Sequence, residues 1–310
     1  MTEIVYLNDI KRDPNTVLTV GTFDGVHEGH KTIIKRVVDS AKKINARSAL
    51  ITFDPHPREI LQPGKSGIKL LTTLEERAEI LNDLGISVMV VIPFDRDFSL
   101  LSSEDFIKNI IFEKIGVSKF VIGYDHQFGR NREGTKATVN KLGKELGFDV
   151  EVVEAHEVGE ITVSSTTVRK ALKEKGDVDL AKSFLGRPYH LKGTVIHGDK
   201  RGKKIGFPTA NIKPENQKKI IPKNGVYAVS IKVGDTIYKG MMNIGVRPTF
   251  DGSDERTLEV NIFEFDQNIY GEDVDLWFIK RIRDEQRFNS VDELIAQINN
   301  DKEIAQRVNK

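Results

Sequence analysis

From Val17 to about Val153 the chain repeats one rhythm. Short apolar runs, VLTVG, SALITF, VMVVIPF, KFVIGYD and DVEVVE, alternate with segments patterned as helices, such as EERAEILNDLG. Helical crossovers return the chain in the same direction, so this alternation predicts an α/β domain with a parallel sheet and covering helices. Sheets of this kind bind ligands beyond the carboxyl ends of their strands. The loops after Val20, Phe53 and Ile122 are therefore where chemistry is expected.

The rhythm stops after Lys170. Two helical segments, ALKEKG and DVDLAKSFLG, follow, and Gly186 leads into RPYHLKGTVIHG, where the pattern changes to strands. A boundary near Ser183 divides the chain into domains 1–183 and 184–310, as expected of 310 residues, more than one comfortable core needs. Beyond it YHLKGTVI, GVYAVSIKV, TIYKGMMNIG, TLEVNIFEF and DVDLWFIKRI recur without long helices between them, which predicts a small antiparallel barrel. The tail SVDELIAQINNDKEIAQRV opens on Ser290 as an N-cap, carries an acid at its third helical position, and predicts a closing helix.

The 47 basic and 46 acidic side chains nearly cancel, which removes the electrostatic footprint of a nucleic-acid or anionic-membrane binder and leaves small molecules as the expected partners. No cysteine occurs, so disulfides, zinc-thiolate sites and cysteine nucleophiles are excluded. The opening MTEIVYLNDIKRDPN has no apolar signal region, and no run approaches the roughly 18 apolar residues of a membrane span. A cytoplasmic protein is expected; its oligomeric state leaves no mark in the sequence.

Gly21-Thr22-Phe23-Asp24-Gly25-Val26-His27-Glu28-Gly29-His30 closes the first apolar run and leads at once into a helical pattern from Lys31. Glycines at 21, 25 and 29 let the backbone approach phosphate oxygens, and the helix start offers unpaired N–H groups at the positive end of its dipole. Gly21, Thr22, Phe23, Asp24 and Gly25 are thus candidates for an ATP-binding turn. His27 and His30, three residues apart, can face one ligand and donate to charge developing on a phosphate. The pair could also be half a metal site, but no third ligand stands at fitting spacing and the glycines would then be unexplained. A second phosphate site is expected at Ser164-Ser165-Thr166-Thr167-Val168-Arg169, where hydroxyls can cap a helix and a guanidinium lies on its first turns.

In the second domain the run GDKRGKKIGFPTAN, Gly198 to Asn211, combines glycines, basic residues and hard oxygen donors, a mixture suited to ATP with magnesium. It is not a Walker A loop, because GxxxxGK[ST] occurs nowhere in the chain. Thr209 and Asn211 stand two apart, so in an extended segment both side chains point to one face, where neutral oxygens can join a hydrated Mg2+.

GTFDGVHEGH and SSTTVR together resemble the HxGH and SSTxxR signatures of the nucleotidyltransferase superfamily. TFDPHP at 52–57 and GYDHQFGRNREG at 123–134 resemble the flavin-side loops of bacterial FMN adenylyltransferases, which makes His56 and Asp125 flavin-binding candidates. The chain departs from the family at His126 and Gln127, where members often carry Phe and Arg. GFPTANI, GVYAV, MNIGVRPTF and LEVNIF, in this order, resemble the riboflavin kinase family over most of residues 184 to 290. By motif position the resemblance makes Thr209 and Asn211 the magnesium-site residues, puts Gly198, Gly202 and Lys204 in the nucleotide loop, and makes Glu259 the catalytic glutamate. Arg283 and Phe288, in IRDEQRF, are flavin-side candidates of the barrel.

The whole chain thus resembles the bifunctional riboflavin kinase/FMN adenylyltransferases, the bacterial FAD synthetases. The resemblance implies a Rossmann-like nucleotidyltransferase domain followed by a riboflavin kinase-like barrel, with riboflavin, FMN and ATP as substrates and FAD as final product. Glu259 would accept the proton of the riboflavin 5′-hydroxyl as it attacks the γ-phosphoryl group. The FMN phosphate would then attack the α-phosphorus of a second ATP, with His27 and His30 stabilising the transition state. Two other readings of the residues stay open here: transfer to another small phosphate with a barrel that only binds, and a flavin sensor without turnover.

Overall fold

In the computed structural model, strands β1 (Glu3–Tyr6), β2 (Thr16–Val20), β3 (Arg47–Asp54), β4 (Val88–Pro93), β5 (Lys119–Gly123) and β6 (Asp149–Val153) form one parallel sheet. Their order is β1-β4-β3-β2-β5-β6. The structure describes all residues except 63–66, 125–126, 155–156, 159–160, 199–201, 203–204, 249–253 and 309–310. It divides into two compact units, Met1–Ser165 and Thr166–Lys310.

Alternation along each strand sends neighbouring side chains to opposite faces, and both faces are apolar. Leu18, Val20, Ile51, Val90 and Ile122 pack with Ile107, Ile111, Val139 and Leu142 on one face. Val17, Leu50, Met89 and Val121 pack with Ile34 and Val37 of α1 (Glu28–Lys43) and Leu81 of α3 (Leu74–Leu84) on the other. The chain runs outward from β2 through β3 to β4 in one direction and through β5 to β6 in the other. The crevice between β2 and β5 is therefore the switch point at which such sheets bind ligands. Strand β1 lies outside the rhythm read from the sequence: it is the four-residue EIVY, ahead of Val17, bonds only to β4, and keeps Ile4 and Tyr6 exposed.

The second unit holds a closed antiparallel barrel of β9 (Tyr189–Ile196), β10 (Ala210–Pro214), β11 (Gly225–Val233), β12 (Thr236–Pro248), β13 (Asp254–Ile262) and β14 (Asp273–Arg283), β7 and β8 being the two-residue strands Glu157–Val158 and Ile161–Thr162 of the first unit. Five of the six were expected. The sixth, β10, is the short ANIKP, whose Asn and Pro suppress the strand signal. Tyr189, Tyr227 and Phe278 fill the interior, the last two edge to face with ring centroids 5.5 Å apart.

The closing helix Val291–Val308 starts where expected: Ser290 Oγ accepts from Glu293 N at 3.2 Å. Its Ala305 packs against Ala228, Met241 and Phe263. Asp301, 1% exposed, pins the helix to the end of β14: Arg283 Nε donates to both its oxygens at 3.0 and 2.9 Å and Nη2 to Oδ2 at 2.7 Å. Removing one partner of a buried pair strands the other charge, at a cost of about 3 kcal/mol. Asp301→Ala is accordingly expected to lower the unfolding midpoint of the barrel by roughly 6–12 °C in calorimetry. An unchanged midpoint would mean that water already satisfies both groups.

Candidate active sites

The first site grows from the end of β2. Gly21 N still bonds Ile51 O at 3.0 Å, and then the chain turns through three left-handed residues, Phe23 (φ 45°), Gly25 (φ 88°) and Val26 (φ 40°). Non-glycine residues hold such angles only where packing over-determines them, and both Phe23 and Val26 are buried. The turn delivers His27 as the N-cap of α1, its Nδ1 accepting from His30 N at 3.3 Å, which puts the proton of the neutral ring on Nε2. The His27 and His30 rings stack with centroids 3.5 Å apart, and Phe23 lies 4.8 Å from His30. A Cβ at Gly29 would press on the His27 ring at 3.3 Å, so glycine leaves the ring its place.

Asp24 turns its side chain into the protein. Its carboxylate is fully buried and accepts from Leu71 N, Thr72 N and Thr72 Oγ1 at 2.9–3.2 Å, with Arg77 Nη2 3.8 Å away. Its carbonyl accepts from Ser165 Oγ at 2.8 Å, which brings the start of SSTTVR to the same turn. Ser164 precedes it in the first unit; Thr166 and Arg169 belong to the second unit, in the helix Ser165–Lys170. His56 caps the short helix Pro57–Leu61 by accepting from Arg58 N at 3.1 Å. In the loop 123–134, Glu133 Oε1 accepts from Ser103 N at 3.0 Å, while Asp125 and His126 lie outside the described residues. Thr72 and Arg77, which lie beside Asp24, were not among the residues singled out in the sequence, and Thr52, which bonds Arg77, was read only as the start of TFDPHP.

The second site lies where β10 meets β13. Asn211 and Glu259 are register partners, and Thr209 Oγ1 donates to Glu259 Oε2 at 3.4 Å. A Cβ at Gly198 would collide with the Asn211 side chain of β10, and one at Gly202 with Phe207 O, so glycine permits both close approaches. Phe207 N bonds Gly202 O at 2.9 Å, and Asn261 Nδ2 holds Pro208 O at 2.7 Å. Gly198, Gly202, Thr209, Asn211 and Glu259 thus converge, while Lys204 lies outside the described residues.

Arg283 is taken up by Asp301, and its guanidinium carbon lies 5.8 Å from the Phe288 ring centroid. The loop that carries Phe288 leaves β14 under several holds: Arg281 Nη2 donates to Asp284 at 2.7 Å and Asn224 Nδ2 to Glu285 at 3.1 Å. The bond from Arg281 keeps the Asp284 carboxyl below its ordinary value. Burial pushes the Tyr227 phenol up, and Arg281 pulls it partly back.

Comparison with known proteins assigns both halves. Residues 9–167 match the FAD synthetase family model and residues 185–309 the riboflavin kinase model. The bifunctional riboflavin kinase/FMN adenylyltransferase of Listeria monocytogenes is 40% identical, with 94% of this chain and 91% of the relative covered. The protein of the same name from Escherichia coli K12 is 38% identical over 92% and 90%. A solved structure described as a macrolide-efflux protein from Streptococcus pneumoniae superposes with TM-score 0.89 at 31% identity, covering 98% of each chain. That description belongs to that protein; among the described residues here, no helix is long and apolar enough to cross a membrane. With a parallel-sheet unit that matches one family, a barrel that matches the other, and relatives that carry both in the same order, this chain belongs to the bifunctional riboflavin kinase/FMN adenylyltransferases.

Proposed function

We propose that the two activities of the family run at the two sites described. In the barrel the riboflavin 5′-oxygen attacks the γ-phosphorus of ATP, Glu259 takes the hydroxyl proton, and ADP leaves. The observation that carries this assignment is the convergence of Gly198, Thr209 and Asn211 on Glu259. Thr209 and Asn211 are neutral, hard oxygen donors beside a carboxylate, a set that fits Mg2+, which would offset phosphate charge when bound with ATP.

At the end of β2 a phosphate oxygen of FMN attacks the α-phosphorus of a second ATP and pyrophosphate leaves. His27 and His30 donate to the charge that develops, and the turn 21–25 with Ser164 and Ser165 holds the phosphates. Assigning Thr166 and Arg169 to ATP rests on their motif, and on this reading the functional boundary stays near Ser183 rather than at the division of the compact units. His56 and Asp125 are the flavin candidates of this site, Phe288 and Arg283 those of the barrel. The ATP dependence of both steps supports a cytoplasmic setting.

Purified protein given riboflavin, ATP and Mg2+ is expected to produce FMN first and FAD after it, resolved by chromatography. Excess EDTA is expected to stop both steps, with recovery when Mg2+ is restored. Undiminished FMN formation in EDTA would remove Thr209 and Asn211 from a metal site.

A further inference from the structure

Arg77 is 4% exposed, sits on α3, and reaches three separate segments of the first unit. Its Nη1 donates to Thr52 Oγ1 at 2.7 Å, and that hydroxyl donates on to Thr22 O at 3.0 Å. Its Nη2 donates to Thr72 O at 3.4 Å and lies 3.8 Å from Asp24 Oδ1. Thr72 completes the loop, donating from N and Oγ1 to Asp24 and accepting from Gly25 N at 3.0 Å. One guanidinium thereby fixes the carbonyl of residue 22 and, with Thr72, the carboxylate of residue 24 and the amide of residue 25. These are the residues just ahead of His27.

We infer that Arg77 is a positioning residue for adenylyl transfer. Acting through Thr52, Thr72 and Asp24, it holds the left-handed turn that sets the height and tilt of the His27–His30 stack. A buried charge at this depth is costly unless it is bonded, and here Arg77 bonds Thr52 and Thr72, which in turn hold Thr22, Asp24 and Gly25. A turn of three left-handed residues relaxes when its external bonds are lost, and a displacement of about 1 Å at reacting atoms is worth up to 100-fold in rate. Lysine keeps the charge but has no fork, so it cannot span Thr52 and Thr72 together.

The inference rests on the assignment of the 21–30 turn to adenylyl transfer, and the experiment separates the two. FMN adenylylation and riboflavin phosphorylation are measured on the same preparations of Arg77→Lys, Thr52→Val and the double variant, below the first unfolding transition of each. Arg77→Lys is expected to lower kcat for adenylylation about tenfold or more with KM for FMN within about twofold, while riboflavin phosphorylation keeps its rate. Thr52→Val, which removes only the bridge to Thr22, is expected to lower kcat in the same direction by a smaller factor, and the double variant to fall no further than Arg77→Lys. Should Arg77→Lys fail to fold, Thr52→Val alone decides. A kcat within about twofold of the parent in folded variants, or an equal fall of both activities, overturns the inference. If replacing His27 and His30 leaves adenylylation intact, the site assignment itself fails, whatever Arg77 does.

Discussion

Glu259→Gln is expected to form FMN from riboflavin about 100- to 10,000-fold more slowly while converting supplied FMN to FAD at the parental rate. Glutamine keeps the shape of the side chain and an oxygen for the Thr209 hydroxyl, so the site should stay assembled. It loses the one property the reaction needs, a carboxylate able to take the proton of the attacking hydroxyl. Register fixes Glu259 opposite Asn211 on one side and Asn243 on the other, so relaxation of the strands cannot bring a second carboxylate to the same point. Coupled assays for ADP with riboflavin, and for pyrophosphate with FMN, read the two steps separately. Riboflavin phosphorylation at the parental rate by the Glu259→Gln variant would move the base elsewhere, with Glu264 the neighbouring carboxylate to test.

Removing both histidines should have the complementary effect. His27→Asn/His30→Ala is expected to lower pyrophosphate release from ATP and FMN by about 1,000-fold, so that riboflavin accumulates as FMN. Asparagine at 27 preserves a side-chain acceptor for the first turn of α1, where outright loss of the cap costs about 1 kcal/mol and would confuse the reading. Because the rings stack, single replacements should not add: the first disturbs the partner it leaves behind. FAD formation within a few-fold of the parent would remove adenylyl transfer from this turn.

Much of this architecture could be read from the sequence because both halves bury apolar side chains periodically. The four central strands of the sheet lie in a doubly covered layer and read as continuous apolar runs, and the edge strand β6 still shows Val150, Val152 and Val153, whereas β1, the other edge, is short and largely exposed. The two glycine-bearing loops proposed to hold nucleotide stood out for another reason: glycines, histidines and hydroxyls at fixed offsets are uncommon without a backbone that needs them. Less legible was which way each motif residue points. Asp24 sits in the middle of the glycine turn after β2 yet directs its carboxylate at Leu71 and Thr72, more than 40 residues along the chain, and no local pattern encodes that. Arg77 did leave a trace. It stands three residues after Leu74 and four before Leu81, on the apolar stripe of α3, where a charge must have buried partners. Arg283 carried no such trace, since its partner Asp301 belongs to a different element.

Closure of the barrel has a consequence for how the second unit is made. Strand β9 bonds to β14, and Thr194 reaches Asp273 across 79 residues, so the ring cannot be sealed until its first and last strands have met. Contacts of such separation slow folding, because loop-closure entropy is spent before the pairing returns it. Until then β9 and β11 both present open backbone edges to any neighbouring chain, the condition that favours aggregation over native pairing. In a nascent or refolding molecule it is therefore β14, remote in sequence from PTAN, that decides whether the kinase half matures or is lost.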